Sequence, residues 1–247
     1  MFYCFIPPGD IDGGRISVTG ENFHHLKTVR HAEAGETIRV RSDRFVYEAK
    51  IETVGRDRIV ALILSSEEIG AESSRPLVIA AALIQEKNFD LLLQLSVQLG
   101  VSSIQPILTR NVANHRVKQD KRERWQRIVK AACMQSRRTA VPVVEDVVEF
   151  AEAVSRYKAD GKDVKNEKIR MIMPFELEDK RLIEPALFEG TSGTVVFIGP
   201  EGGWSAEEAD FARENGIVTV SLGKNILRAE TAALVSLTLV RRSLGEL

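Results

Sequence analysis

Two stretches near the carboxyl end decide the fold: FIGPEGGWSAEE at residues 197–208 and SLGKNILRAETAA at residues 221–233. In each, an apolar run gives way to a glycine-containing turn, and a pattern typical of a helix start follows. Ser205 and Glu208 form the S-x-x-E pattern of a capping box, so we expect a helix to begin there. The repeated order of strand, turn and helix predicts a mostly parallel α/β sheet.

The same alternation extends upstream, beginning after Pro76. Short apolar segments predict strands at Leu77–Ile84, Ser103–Leu108, Ile169–Met173, Thr194–Ile198 and Val218–Leu222. Amphipathic spacing predicts one helix over Asn88–Leu99, with Asn88 as its cap and Gly100 as its stop, and another over Lys121–Gln135. The polar, lysine-rich stretch Tyr157–Glu167 is predicted to be a surface loop.

The first 66 residues have a different character. Short β-branched segments separated by glycine predict strands at Arg15–Thr19, Thr37–Arg41, Tyr47–Val54 and Ile59–Ser65. Several short strands at this spacing indicate a small β-barrel. The polar stretch Glu67–Pro76 is the candidate linker. We therefore expect two domains, a β domain over residues 1–70 and an α/β domain over residues 74–247.

Composition excludes several classes of protein. The 247 residues carry a net charge of −1, and the longest apolar run, Leu77–Ile84, is too short to span a bilayer. No basic segment followed by an apolar one opens the chain, so no secretory signal is expected. Cys4 and Cys133 are far apart, and the His24–His25 pair lacks further ligands at metal spacing. A soluble, cytoplasmic protein without a metal site is expected.

Charge is concentrated in one segment. Between Arg110 and Pro142 there are ten basic residues against Asp120 and Glu123, a net charge of +8. Such a cluster attracts phosphate groups through Coulomb attraction and counterion release. The predicted helix over Lys121–Gln135 would direct Arg122, Arg124, Arg127 and Lys130 outward, away from its apolar stripe. A nucleic-acid contact and an ordinary solvated helix face both remain open at this point.

The two glycine-bearing turns are candidate ligand sites, because ligands bind beyond the carboxyl ends of the strands in parallel sheets. A glutamate at residue 201 is not explained by turn formation alone, although an ordinary strand-to-helix turn remains an alternative. At a predicted helix start, the helix dipole favours Glu230 but not Arg228. An anion, a carboxylate or a base carbonyl would explain Arg228, and an ordinary surface ion pair remains an alternative. The turns match neither the phosphate-binding P-loop nor the G-x-G-x-x-G fingerprint.

These stretches carry a family resemblance. GPEGGWSAEE and LGKNILRAETAA resemble the two signature segments of the RsmE-type 16S rRNA methyltransferases, which belong to the SPOUT class of S-adenosylmethionine enzymes. Weaker similarity covers most of the chain, including His24-His25-Leu26, Gln98-Leu99-Gly100-Val101 and Gln135-Ser136-Arg137-Arg138. Positions near Met1 and in the first α/β helix, Leu95 and Gln98 among them, depart from the family pattern.

The resemblance implies a fold and a reaction. The fold is a PUA-like β-barrel that binds RNA, followed by a SPOUT-type parallel sheet with a C-terminal trefoil knot. The reaction is methyl transfer from S-adenosylmethionine to N3 of a uridine in the 16S rRNA of the small ribosomal subunit, carried out by a homodimer without a membrane or metal partner.

The resemblance also implies site residues. The cofactor would be held by Pro174, Ile198, Gly199, Glu201, Gly202, Gly203, Ser221, Leu222, Gly223, Ile226 and Leu227. Arg228 would stabilise the developing uracil anion, with Glu201 or Glu230 as base or orienting group. RNA contacts would come from His24, Arg30, Arg110, Arg116, Arg124, Arg137 and Arg138.

Two other functions fit the same residues. One is a SPOUT methyltransferase that acts on a different RNA, which the departures in the first α/β helix favour. The other is a catalytically silent RNA-binding homologue that has kept the fold. Binding of the cofactor and the identity of the methylated RNA separate these three hypotheses.

Overall fold

The computed structural model describes residues 2–42, 45–68, 75–111, 119–163 and 168–247. Contacts divide the chain into two compact units. The first unit contains Met1–Glu72 together with Arg137–Thr139, and the second contains Ser73–Ser136 and Ala140–Leu247. Most of the predicted linker lies at residues 69–74, outside the described residues.

The first unit is a six-stranded sheet. Its strands are β1 (Phe2–Phe5), β2 (Ile11–Asp12), β3 (Arg15–Val18), β4 (Thr37–Ser42), β5 (Phe45–Val54) and β6 (Ile59–Glu68). They lie in the order β1-β4-β5-β6-β3-β2, and every neighbouring pair is antiparallel except β1 with β4. A short helix α1 (Gly20–His24) and a π-helical turn, His25–Val29, connect β3 to β4. The buried residues alternate along the strands, as one-sided packing requires.

The second unit contains seven parallel strands. They are β7 (Leu77–Ala82), β8 (Ser103–Leu108), β9 (Val143–Val144), β10 (Val148–Glu149), β11 (Lys168–Pro174), β12 (Thr191–Ile198) and β13 (Val218–Val220). The main path runs β10-β8-β7-β12-β11-β13, and β9 pairs with β8. Because the strands are parallel, Ala81, Ile198, Pro174 and Val220 end at one edge of the sheet. The predicted parallel α/β sheet is confirmed.

Helices cover both faces of this sheet. They are α2 (Glu86–Gln98), α3 (Gln119–Ser136), α4 (Phe150–Asp163), α5 (Ala206–Glu214) and α6 (Ala229–Ser243). On one face, α4 and α5 contribute to a core that contains Phe150, Phe197 and Trp204. On the other face, α2 packs against α3 and α6, and the rings of Phe89 and Trp125 lie 4.8 Å apart. The central strands are consequently apolar on both sides.

No helix among the described residues combines the length and the apolarity that a membrane crossing requires.

Two local predictions are wrong. Helix α2 begins at Glu86 with Gln85 at the cap position, so Asn88 lies inside the helix. The stretch Tyr157–Asp163 is helical because α4 presents Phe150, Ala153, Val154 and Tyr157 to the core. Their spacing of three and four residues is that of an amphipathic helix, and the surrounding lysines obscured it. Gly100 does end α2, with a φ of +80°.

Gly100 provides a test of helix packing in the second unit. A Cβ at Gly100 would lie 2.7 Å from Nη2 of Arg241 on α6, whereas a Cβ at Gly216 would meet nothing within 4 Å. Both glycines have a positive φ, so alanine at either should cost about 1–2 kcal/mol of backbone strain. Gly100→Ala should cost more than Gly216→Ala, because Arg241 must also leave its ion pair with Glu246.

Urea unfolding followed by tryptophan fluorescence measures this difference, since both tryptophans, Trp125 and Trp204, belong to the second unit. Equal losses in the two variants would mean that Arg241 moves aside without cost.

Candidate active site at the carboxyl edge of the sheet

A cavity of about 220 Å³ opens at the carboxyl edge of the parallel strands in the second unit. Its wall combines the ends of β11 and β12, the turn after β12, and the loop that leads into α6. The lining residues are Pro174, Glu176, Ile198, Gly199, Pro200, Glu201, Gly203, Trp204, Ile226, Leu227, Arg228, Ala229 and Ala232. The two glycine-bearing turns singled out in the sequence therefore meet in one place.

The turn after β12 is tied to its neighbours by a carboxylate. Oε1 of Glu201 accepts a hydrogen bond of 3.0 Å from the backbone N–H of Gln85, which lies between β7 and α2. This bond joins loops 116 residues apart in sequence. It assigns at least one oxygen of Glu201 to holding the turn in position, so Glu201 suits an orienting role better than a proton-accepting one.

A second carboxylate ties the same turn to the end of β8. Glu208 closes the predicted capping box, with Oε2 accepting from the N–H of Ser205 while Oγ of Ser205 accepts from the N–H of Glu208. Oε1 of Glu208 also accepts from the N–H of Arg110 at 2.9 Å. Asn111 completes the link, because its amide donates to the carbonyl of Gly203 at 3.0 Å. The capping box is thus confirmed, and it also anchors a neighbouring loop.

Glycine at residue 199 allows a close approach in the cavity wall. A Cβ there would lie 2.9 Å from Nε1 of Trp204, inside the contact limit of real side chains. Trp204 is buried and its ring lies 4.9 Å from the ring of Phe150. Nε1 of Trp204 has no hydrogen-bond partner among the described residues. The indole is therefore held in place by packing rather than by a polar contact.

The loop between β13 and α6 is held by the chain that follows β11. The N–H of Ser221 donates to the carbonyl of Arg181 at 2.7 Å. Glu178 accepts from the N–H groups of Arg181 and Lys180 and from the hydroxyl of Thr219 in β13. These bonds, led by the one from Arg181, lower the pKa of Glu178 below its ordinary value. An ionised Glu178 therefore stabilises this part of the edge at neutral pH.

Arg228 and Glu230 open α6. Arg228 occupies the N-cap position with an extended backbone, and its exposed side chain makes no capping hydrogen bond but lines the cavity. Arginine at an N-cap is disfavoured by the helix dipole, which indicates that its side chain serves another purpose. Glu230 is 8% exposed, and its Oε2 has no hydrogen-bond partner within the described residues. A buried carboxylate oxygen without a hydrogen-bond partner is unusual in a folded protein.

The cavity brings together most of the predicted site. Its walls include eight of the predicted cofactor and catalytic residues: Pro174, Ile198, Gly199, Glu201, Gly203, Ile226, Leu227 and Arg228. Five others are not among its lining residues: Gly202, Ser221, Leu222, Gly223 and Glu230. Gly202 and Gly223 belong to the two turns, and Glu230 follows Ala229, which is part of the wall.

The predicted RNA-contacting residues fall into separate groups. His24, Arg30 and Arg137 are exposed and belong to the first unit, as does Arg138, which is partly buried. In the second unit, Arg110 forms an ion pair with Glu207, and Arg124 forms a two-fold pair with Asp90. The pair with Asp90 raises the pKa of Arg124 above its ordinary value. Arg116, with His115, lies outside the described residues.

Sequence reasoning did not assign Glu176, Pro200, Ala229 or Ala232 to the site. Glu176 carried a detectable signal, because it is a charged residue just past the carboxyl end of a predicted parallel strand. No group of three potential ligands among His, Cys, Asp and Glu lies together in the described part of the chain.

The chain contains an RNA methyltransferase domain, since a family model of that description matches residues 71–241. Ribosomal RNA small subunit methyltransferase E of Bacillus subtilis is 32% identical over 236 residues, covering 91% of this chain and 89% of the relative. The protein of that name from Mycobacterium bovis is 30% identical over 247 residues, covering 96% and 89% of the two chains.

A solved structure agrees with these relatives. The ribosomal RNA small subunit methyltransferase E of Neisseria gonorrhoeae, bound to S-adenosyl methionine, superimposes with a TM-score of 0.83 at 28% identity. The match covers 98% of this chain and 97% of that one. This chain belongs to the ribosomal RNA small subunit methyltransferase E family, as the two signature segments predicted.

Gly199→Ala tests the close approach in the cavity wall. Because the added methyl group overlaps a packed indole, we expect a loss of about 1–3 kcal/mol in unfolding free energy. In a Trp204→Phe background, where the smaller ring leaves space, the same substitution should cost clearly less. Urea unfolding of the four proteins in this cycle measures the coupling. An identical cost in both backgrounds would show that the indole is not the obstacle.

Proposed function

We propose that this protein methylates N3 of a uridine in the 16S rRNA of the small ribosomal subunit, with S-adenosylmethionine as methyl donor. The observation that carries the proposal is the single cavity formed by two glycine-bearing turns at the carboxyl edge of a parallel sheet. Membership of the family and the cofactor bound to the Neisseria relative support it. A ribosomal substrate implies action in the cytoplasm.

The residues around the cavity suit the cofactor. Ile198, Leu227 and Trp204 supply apolar surface for a flat nucleoside, and Gly199 and Gly203 leave the backbone accessible. Gly203 has a φ of +71°, so glycine is needed there for the turn itself. The backbone around Leu222, Gly223 and Ile226 would hold the adenine through N–H and C=O groups.

The reaction requires a proton to leave the substrate before the methyl group arrives. S-adenosylmethionine supplies, when bound, a methyl group made electrophilic by the attached sulfonium. N3 of uridine carries a proton at neutral pH, and only after losing it to a base can nitrogen donate its electron pair to the methyl carbon. The negative charge that develops on the uracil is therefore the quantity that the protein must stabilise.

Arg228 is suited to that stabilisation. Its guanidinium lines the cavity and makes no ion pair within the described residues, so it is available to the uracil oxygens. Glu230 is the candidate base or orienting group, since its buried Oε2 has no other hydrogen bond in the described part of the chain. Glu201 would act by fixing the turn, through its bond to Gln85.

We extend the proposal to the fold. The path of the chain after β13 supports a trefoil knot. Strand β13 lies at the edge of the sheet beside β11, whereas the helix that follows it, α6, packs on β12 and α2. Between them the chain runs alongside the β11–β12 connection, to which Ser221 is hydrogen-bonded. The six-stranded sheet of the first unit supports a PUA-like barrel that binds RNA, with an exposed His24 at the end of α1 and an exposed Arg30 just after the π-helical turn.

We also propose that the protein acts as a homodimer. Helices α2 and α6 pack together, and each carries a partly exposed leucine, Leu91 at 43% and Leu234 at 36%. Light scattering after size-exclusion chromatography gives the mass in solution, and a mass of one chain at micromolar concentration would contradict the dimer.

Incubation of the purified protein with radiolabelled S-adenosylmethionine tests the proposed reaction. Unmodified 16S rRNA, assembled small subunits and bulk tRNA serve as separate acceptors, followed by mass spectrometry of the nucleosides. We expect N3-methyluridine in the 16S rRNA or in the small subunits, and none in tRNA. Label in tRNA alone would show that the protein methylates a different RNA. Micromolar binding of S-adenosylhomocysteine without transfer to any acceptor would contradict the proposed reaction.

Arg228→Ala separates binding from chemistry. Because Arg228 is assigned to the developing anion, its loss should lower kcat about 10²–10³-fold while leaving the Kd for S-adenosylhomocysteine within about twofold. Arg228→Lys keeps the positive charge but not the planar guanidinium, so its kcat should lie between those of the unaltered protein and Arg228→Ala. Turnover is measured on small subunits and affinity by calorimetry. Unchanged turnover in Arg228→Ala would remove this residue from the catalytic role.

A further inference from the structure

The carboxylate of Glu176 is the one charged group on the cavity wall to which the reaction above gives no task. Glu176 lies two residues beyond the end of β11 and lines the cavity. Its oxygens lie against the bare Cα of Gly203, since a Cβ there would be 2.9 and 3.1 Å from Oε1 and Oε2. Glycine at residue 203 therefore makes room for this carboxylate as well as for the turn.

The other carboxylate on the wall is already engaged. Glu201 accepts the hydrogen bond from Gln85, whereas Glu176 forms no hydrogen bond or ion pair within the described residues. Arg228 lines the same cavity, but no ion pair within 4.0 Å joins it to Glu176 in the described part of the chain. A free anion and a free cation are therefore kept apart on the wall of one small cavity.

This arrangement suits a ligand that carries its own positive charge. Both side chains, Glu176 and Arg228, are exposed, so each is hydrated and available to a ligand group of the opposite charge. S-adenosylmethionine has two cationic centres, the sulfonium and the α-ammonium, and a carboxylate can pair with either. A carboxylate can also accept a hydrogen bond from a ribose hydroxyl, and 5′-methylthioadenosine, which keeps the ribose without either charge, distinguishes that contact.

We propose that Glu176 binds a positive charge of S-adenosylmethionine and thereby contributes to cofactor recognition. The inference rests on the proposed function, since it takes the cofactor from there. It assigns Glu176 to binding and leaves proton transfer to other groups.

Glu176→Gln tests the inference by calorimetry with three ligands. S-adenosylmethionine has both cationic centres, S-adenosylhomocysteine keeps only the ammonium, and 5′-methylthioadenosine has neither. The glutamine preserves shape and one acceptor oxygen, so the change removes mainly the charge. Glu214→Gln is the matched control, because Glu214 is an exposed carboxylate at the end of α5 that does not line the cavity.

A contact to the ammonium predicts about tenfold weaker binding of S-adenosylmethionine and S-adenosylhomocysteine, with 5′-methylthioadenosine unchanged. A contact to the sulfonium predicts the loss for S-adenosylmethionine alone. Glu176→Asp, which retains the charge, should keep more affinity than Glu176→Gln in either case. Unchanged affinity for all three ligands, or an equal loss that includes 5′-methylthioadenosine, would overturn the inference.

The proposed function is tested separately by the unaltered protein. If it binds neither S-adenosylmethionine nor S-adenosylhomocysteine, the proposed function fails. If it binds both and Glu176→Gln binds them equally well, only the role of Glu176 fails. An equal loss in Glu214→Gln would assign the effect to net charge and would also overturn the role of Glu176.

Discussion

Hydrogen bonds between loops that are distant in sequence hold the carboxyl edge of the parallel sheet together, and the cavity depends on them. The turn after β12 is fastened to the start of α2 by Glu201, and to the end of β8 by Glu208 and Asn111. On the other side, Glu178 joins the chain after β11 to β13. Each of these bonds gives a backbone or side-chain donor an acceptor within the protein. Together they connect a wall that is built largely from short segments without regular structure.

The sequence allowed much of this arrangement to be predicted, because its strongest signals are local. A strand end, a glycine-bearing turn and a capping box lie together within residues 197–208. The order of elements and the helix start at Ser205 could therefore be predicted from this stretch alone. Predictions failed where local and tertiary preferences compete. Asn88 is a good capping residue in isolation, yet α2 begins earlier, at Glu86, and buries Phe89 against Trp125. In α4, the burial of four apolar side chains stabilises a helix in a segment whose polar composition suggested a loop.

The site was harder to predict than the fold, because the charge of a residue does not show whether it forms an ion pair in the folded protein. The segment from Arg110 to Pro142 has a net charge of +8, but Arg110, Arg122 and Arg124 are engaged by Glu207, Asp146 and Asp90. The field of that segment is thus smaller than a count of its residues suggests. Glu176 shows the opposite case, because its position beside Gly203 depends on a contact across 27 residues that no spacing rule encodes.

The construction of the cavity from segments that are distant in sequence has a consequence for biosynthesis. Its wall draws on residues from Pro174 to Ala232, and α6 supplies the cover for α2, which is made more than a hundred residues earlier. During synthesis, α2 is therefore exposed without its partner α6, and β11 without its neighbours β12 and β13, until those later elements have been made. Loss of α6 would consequently uncover apolar surface on α2 and remove Ala229 and Ala232 from the cavity wall at the same time.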